Sequence, residues 1–154
     1  MFKILVLIIF SIMTWDYFQV SIYKNAMPEK IEIKSVIFHD EKSDFREGCG
    51  VAIFKISDAS IYKIKKNGLS YFADATLGRD GDNYHRYATW QRTPLKRKEK
   101  LLRGSFCIDE DDFPLIWKKI LMALNSGDAF FTTGREQDIV VIPSLGVLVF
   151  SFNG

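Results

Sequence analysis

AFFTTGREQDIVVIPSLGVLVFSF (129–152) decides the fold. It contains three runs of β-branched and aromatic residues, AFFTT (129–133), DIVVI (138–142) and VLVFSF (147–152), separated by the polar or turn-forming GREQ and PSLG. Connections this short can close only antiparallel pairs, because a parallel crossover needs a dozen residues or more. The segment therefore predicts a three-stranded meander. Its last two strands are apolar at successive positions, so both of their faces need cover and they belong in the middle of a sheet.

The main cover is predicted immediately upstream, in DEDDFPLIWKKILMALNSG (109–127). Phe113, Ile116, Trp117, Ile120 and Leu124 form one apolar stripe at helical spacing, with Lys118, Lys119 and Asn125 opposite. Asp111 or Asp112 is the expected cap, Pro114 sits in the first turn and Gly127 follows the end, giving a main helix over about 112–125. A shorter helix is expected over about 58–67. Ser57 or Asp58 would cap it, Ile61 and Ile64 face inward, Lys63, Lys65 and Lys66 face outward, and Gly68 stops it.

Before that helix, VAIFKIS (51–57) reads as a buried strand. In KIEIKSVIF (30–38) the alternation of Ile31 and Ile33 slips before Val36 and Phe38, the pattern of a bulged strand. HDEKSDFREGCG (39–50) and LGRDGDNYHRY (77–87) read as loops, ATWQRTP (88–94) as extended chain, KRKEKLLRG (96–104) as an exposed basic segment, and SFCI (105–108) as a short strand. A meander with segregated helices gives an α+β class.

The opening MFKILVLIIFSIMTWDYFQVSIYKN (1–25) bears on location. Lys3 and the amino terminus precede a dense apolar run over 4–13. As a helix that run reaches about 15–18 Å, short of the roughly 30 Å of a hydrocarbon core, so it suits a signal peptide. Lys24 at the −3 position makes Ala26 a poor cleavage point, so an uncleaved anchor over residues 4–22, with Trp15, Asp16 and Tyr17 near the interface, is the second form of the same idea. Residues 1–26 are thus expected as leader or anchor and 27–154 as one globular domain, periplasmic or membrane-anchored. The alternative is a cytoplasmic protein that buries the apolar run. Lys24, Lys30 and Lys34 balance Lys3, so the basic residues do not orient an anchor.

Composition excludes several classes. With 47% hydrophobic and 26% charged residues the 154-residue chain is globular rather than disordered, and its 13 Phe, 6 Tyr and 3 Trp supply a core. A net charge of +2 makes no whole-chain case for nucleic acid. No His or Cys pair stands at zinc spacing, and neither a metal nor another cofactor is expected. GRDGDN, with Asp80, Asp82 and Asn83, lacks the remaining ligands of a calcium loop and reads as an Asp/Gly turn.

Four site readings remain open. Cys49 and Cys107 are the two cysteines. In an exported chain they would form a disulfide that stabilises by about 3–4 kcal/mol, whereas in the cytoplasm they would be unpaired, partly buried thiols. Cys49 in GCG, with His39 or His85 and with Asp40 nearby, is the weak candidate for a thiol-dependent hydrolase, which needs an imidazole within hydrogen-bond reach. In DNYHRYATWQRTP (82–94), Tyr84, Arg86, Tyr87, Trp90 and Arg92 combine flat rings with basic groups, the chemistry of protein-interface anchors; the same rings could instead pin a long loop onto the core. Arg92, Lys96, Arg97, Lys98, Lys100 and Arg103, against Glu99, form a basic stretch over 92–103 that could meet phosphates on anionic lipid or, in a cytosolic protein, make the chain a nucleic-acid binder, although export would exclude most nucleic acid. The leading expectation is a non-catalytic exported protein that binds a protein partner, of the inhibitor or immunity type.

Overall fold

The apolar doublets of the C-terminal runs leave no face free for water, and the chain meets this demand with cover on both sides of a central sheet. The structure, a computed structural model, describes residues 18, 20–43, 47–95 and 101–154. The apolar run 4–13 and the basic residues 96–100 lie outside the described residues. The fold is α+β. Strands β1 (Ile33–Ser43), β2 (Gly48–Ile56), β3 (Gln91–Arg92), β4 (Phe130–Thr133), β5 (Gln137–Ile142) and β6 (Val147–Asn153) form an antiparallel sheet in the order β1-β2-β6-β5-β4-β3. The predicted meander is β4–β5–β6. Its last two strands are central, and every residue of β5 and the first five of β6 are buried.

Period-2 alternation sends neighbouring residues to opposite faces. Ala52, Phe54, Ile56, Ile139, Val141, Leu148 and Phe150 meet the first face's cover: helix α1 (residues 20–26), helix α2 (Asp58–Asn67) and the 3-10 turn Gly68–Phe72. Val51, Ile53, Val140, Ile142, Val147 and Val149 meet the second, made of helix α3 (Ile116–Ser126) and the segment around Leu102 and Ile108. Each fully buried aliphatic or aromatic side chain contributes about 1.5–3 kcal/mol, so the two clusters account for most of the drive to fold.

Local rules explain the elements. Ser57 caps α2 by accepting from the Ser60 amide at 3.1 Å. Gly127 ends α3 in the left-handed region, φ 83°, donating to the Ala123 carbonyl; glycine takes that conformation without strain. The slip read in 30–38 is present as register shifts between Ile33 and Ser35 and between Val36 and Phe38.

Three expectations change. The polar HDEKS is not loop but the second half of β1, since an edge strand needs only one face covered and tolerates charge on the other. SFCI is not a strand; Arg103–Cys107 forms a 3-10 turn lying across the sheet. Neither Asp111 nor Asp112 caps α3. Pro114 holds Phe113 extended (φ −71°, ψ 141°), so Glu110–Asp112 closes its own 3-10 turn and α3 begins at Ile116 with no side-chain cap. On the first face, Tyr23 and Ala26 of α1 and Met27, the residue after it, are buried.

Candidate functional site

The cysteines lie on the second face. Cys49 follows the parity of Val51 and Ile53, and the 3-10 turn brings Cys107 to it: the sulfurs are bonded, with a Cα–Cα distance of 6.3 Å across 58 residues of sequence. Two contacts aim that turn. Asp138, 1% exposed, accepts from the Arg103 amide at 3.1 Å and from its guanidinium at 3.2 and 3.0 Å. Gly104 then rests directly on the strands. A Cβ there would sit 2.2 Å from the Gly50 and Phe152 carbonyl oxygens, so no other residue fits, and its amide donates to Ser151 Oγ at 2.7 Å.

The imidazoles lie on the other face. His39 pairs with Ala52, placing it with the first cluster and 6.5 Å from the Tyr23 ring, and His85 stands beside Tyr84, also on that side. With both sulfurs joined and both imidazoles across the sheet, the hydrogen bond that a Cys–His centre requires is not formed.

The aromatic loop divides. Tyr87 and Trp90 are buried: the Tyr87 hydroxyl lies 2.8 Å from both the Ala26 carbonyl and Gln137 Oε1, and the Trp90 indole donates to the Ala75 carbonyl at 2.7 Å while its ring stacks on Phe72. Those two rings pin the loop to the core. Burial, followed by the field of Asp80, pushes the Tyr87 phenol well above its ordinary pKa. Arg92 lies on β3 at the far edge of the sheet, donating to the Gly127 carbonyl at 2.9 Å over the Phe130 ring. Arg86 donates to Asn83 Oδ1 at 3.0 Å. Of the three expected rings, only Tyr84 is at the surface, 45% exposed. Of the basic stretch, the described Arg92 and Arg103 are each tied to a separate partner.

Tyr84 borders a groove of about 250 Å³ on the first face, lined by Ile22, Tyr23 and Ala26 of α1, Glu41 of β1, Tyr84, His85, Gln137, and Phe150 and Phe152 of β6. Tyr23, Phe150 and Phe152 pack with centroids 5.8–6.1 Å apart. The polar tips around this groove are taken up by carboxylates. The Tyr23 hydroxyl donates to Glu41, the Tyr84 hydroxyl donates to Glu136 at 2.5 Å, and His85 Nδ1 lies 2.6 Å from Asp80. Tyr23 is held protonated well above the phenol range by burial and then by the Glu41 contact; Tyr84 is raised by the Glu136 hydrogen bond first and by burial second.

The GRDGDN turn uses its acids internally: Asp80 accepts from the Asp82 amide at 3.0 Å, and Asp82 from the Tyr84 amide at 2.9 Å. Among the described residues no group of three or more His, Cys, Asp or Glu is gathered to hold a metal, and no helix is long and apolar enough to cross a membrane. Sequence reading missed Tyr23, Glu41, Glu136, Phe150 and Phe152. The available signal was Phe150-x-Phe152 at the polar end of an otherwise covered strand, where two rings must share a face that the covering elements no longer reach.

Comparison with protein-family models, curated proteins and solved structures finds no match for this chain.

Proposed function

We propose that this chain is an extracytoplasmic, disulfide-stapled domain that binds a protein partner through the groove beside Tyr84, acting as an inhibitor or immunity-type protein rather than as a catalyst. The observation that carries the reading is the groove: an aromatic-floored recess with exposed Ile22 (48%) and Tyr84 on its border, the large flat side chains that anchor interfaces. Export is supported by the Cys49–Cys107 bond, which persists in oxidising compartments, together with the apolar run at 4–13. Because Tyr23 and Ala26 are core residues, the exported form either keeps its anchor or is cut upstream of α1.

The test has two parts. A C-terminally tagged full chain is fractionated and its mass measured without reductant; an extracytoplasmic fraction with the cysteines oxidised is expected, and a cytosolic fraction with free thiols overturns the location. A photo-crosslinking residue is then placed at position 84 and, as a control outside the groove, at exposed Tyr62. A discrete adduct at 84 and none at 62 is expected. Equal labelling at both positions removes the groove as the docking face.

A further inference from the structure

We propose that the Cys49–Cys107 disulfide is a thiol-exchange site: a low-molecular-weight thiol enters the recess beside it and forms a reversible mixed disulfide with Cys49. Both cysteines are half-buried, and both line a surface recess of about 400 Å³. That volume falls within the roughly 300–1,000 Å³ of small-molecule sites. The rest of the lining is Lys42 and Ser43 at the end of β1, Glu47, Gly48 at the start of β2, and Asn153 at the end of β6. Lys42 and Asn153 are the residues that pair with Cys49 in the neighbouring strands. The recess is therefore built around Cys49 rather than around the turn that carries Cys107. Lys42 is already tied to Asp109 at 3.0 Å, so what the recess offers an entering thiol is access to sulfur and not a free charge.

Exchange rates depend on which sulfur an attacking thiolate can reach, and the attack runs in line with the bond that breaks. A thiolate in this recess reaches Cys49 Sγ from the side away from Cys107. Its electron pair forms the new S–S bond to Cys49, the Cys49–Cys107 bond breaks, and Cys107 leaves as a thiolate that takes a proton from water. The released thiol has an acceptor in place, the Gly104 carbonyl at 3.1 Å. The rest of the turn does not depend on the sulfurs. Arg103 stays paired with Asp138, and the Gly104 amide stays bonded to Ser151 Oγ. Exchange can thus proceed in the folded protein, and Cys107 remains close enough to attack the mixed disulfide, expel the small thiol and restore the original bond.

The experiment treats the oxidised full chain with excess reduced glutathione, quenches it at intervals with N-ethylmaleimide, and reads intact masses and peptide maps without reductant. An adduct of one glutathione on Cys49, with maleimide on Cys107, is expected. Diluting the thiol before the quench should return the parent mass. The initial rate in buffer should lie within about a hundredfold of the rate for the urea-unfolded chain, whereas a bond sealed by the fold would be slowed by the unfolding equilibrium constant, about 10³ or more. Initial rates decide this even if the fully reduced chain unfolds. In a second arm, Cys107→Ser, which leaves Cys49 free, should take up glutathione from its oxidised form at least about tenfold faster than Cys49→Ser. A rate in buffer below the hundredfold limit, an adduct carried chiefly by Cys107, or equal uptake by the two variants overturns the exchange site.

Discussion

The two faces of the sheet are held by different chemistry. The second face is locked: a disulfide, a bidentate ion pair to a fully buried carboxylate and a glycine pressed on two backbone carbonyls fix residues 102–107 across β2, β6 and β5. The first face is tethered by neutral ring tips and one guanidinium bonded to main-chain oxygens. Tyr71 donates to the Lys30 carbonyl at 2.5 Å, Tyr87 and Trp90 reach Ala26 and Ala75, and Arg79 reaches the Lys24 and Ile31 carbonyls at 2.7 and 2.6 Å. Locks suit a surface that must not move. Tethers leave the end of β6 open between α1 and the 82–87 loop, and there the groove forms. The locked face thus supplies rigidity, while the tethered face is free to present side chains.

The largest effect is expected at the lock. Arg103→Ala strands the Asp138 carboxylate in the core with a single backbone donor, and such orphaned buried charges cost about 3–5 kcal/mol. Urea unfolding should show a midpoint lowered accordingly, and a midpoint within error of the parent would mean that Asp138 finds other solvation. Replacing both cysteines by serine comes next. The 58-residue separation predicts a loss of up to about 4 kcal/mol in the chain-entropy model, with the folded structure and the groove otherwise intact. Circular dichroism melts with and without reductant on the parent should bracket the same shift. If the locked face is a single unit, the Arg103 and cysteine effects will not add, because either change frees the same segment.

Much of this contrast was unreadable from sequence. The sheet was readable, since runs apolar on both faces such as VLVFSF allow only a covered strand and Ser57 and Gly127 are local signals. The start of α3 was not, because the aspartates that resembled a cap precede Pro114, and its restriction on Phe113 outweighed them. The lock was invisible because Arg103 and Asp138 are 35 residues apart and each reads as a surface charge. The aromatic loop left two readings open for a related reason. Tyr87 and Trp90 stand among polar neighbours, yet backbone carbonyls satisfy their tips, which permits burial that composition does not reveal. The groove draws on α1, β1, the 82–87 loop, the start of β5 and the end of β6, so no local window contains it.

On the tethered face, smaller effects are expected. Tyr87→Phe removes the hydroxyl shared by the Ala26 carbonyl and Gln137, at a cost of about 1–3 kcal/mol for polar atoms left buried without a partner. The same environment sets a pH dependence. Tyr23 and Tyr87 have folded pKa values above the ordinary 10.0, so their contribution to stability is complete below pH 10 and declines as pH rises, when the unfolded chain alone releases the protons. Phenolate absorbance, compared with that of Tyr23→Phe and Tyr87→Phe, should therefore show these two rings ionising only as the protein unfolds; ionisation of either near pH 10 in the folded state would contradict the burial.

The smallest stability change is expected at Tyr84→Ala, and it discriminates best between the faces. The side chain is at the surface and its Glu136 contact is an exposed hydrogen bond, so the urea midpoint should move by less than about 0.5 kcal/mol equivalent. Binding should change far more, because an exposed ring next to a recess contributes through contact with whatever enters. A variant that folds like the parent and no longer competes for the partner captured by cross-linking at position 84 would separate the presenting face from the supporting one. If Tyr84→Ala instead unfolds the chain as readily as Arg103→Ala, then Tyr84 is part of the framework, and the division between a locked face and a receptive one fails.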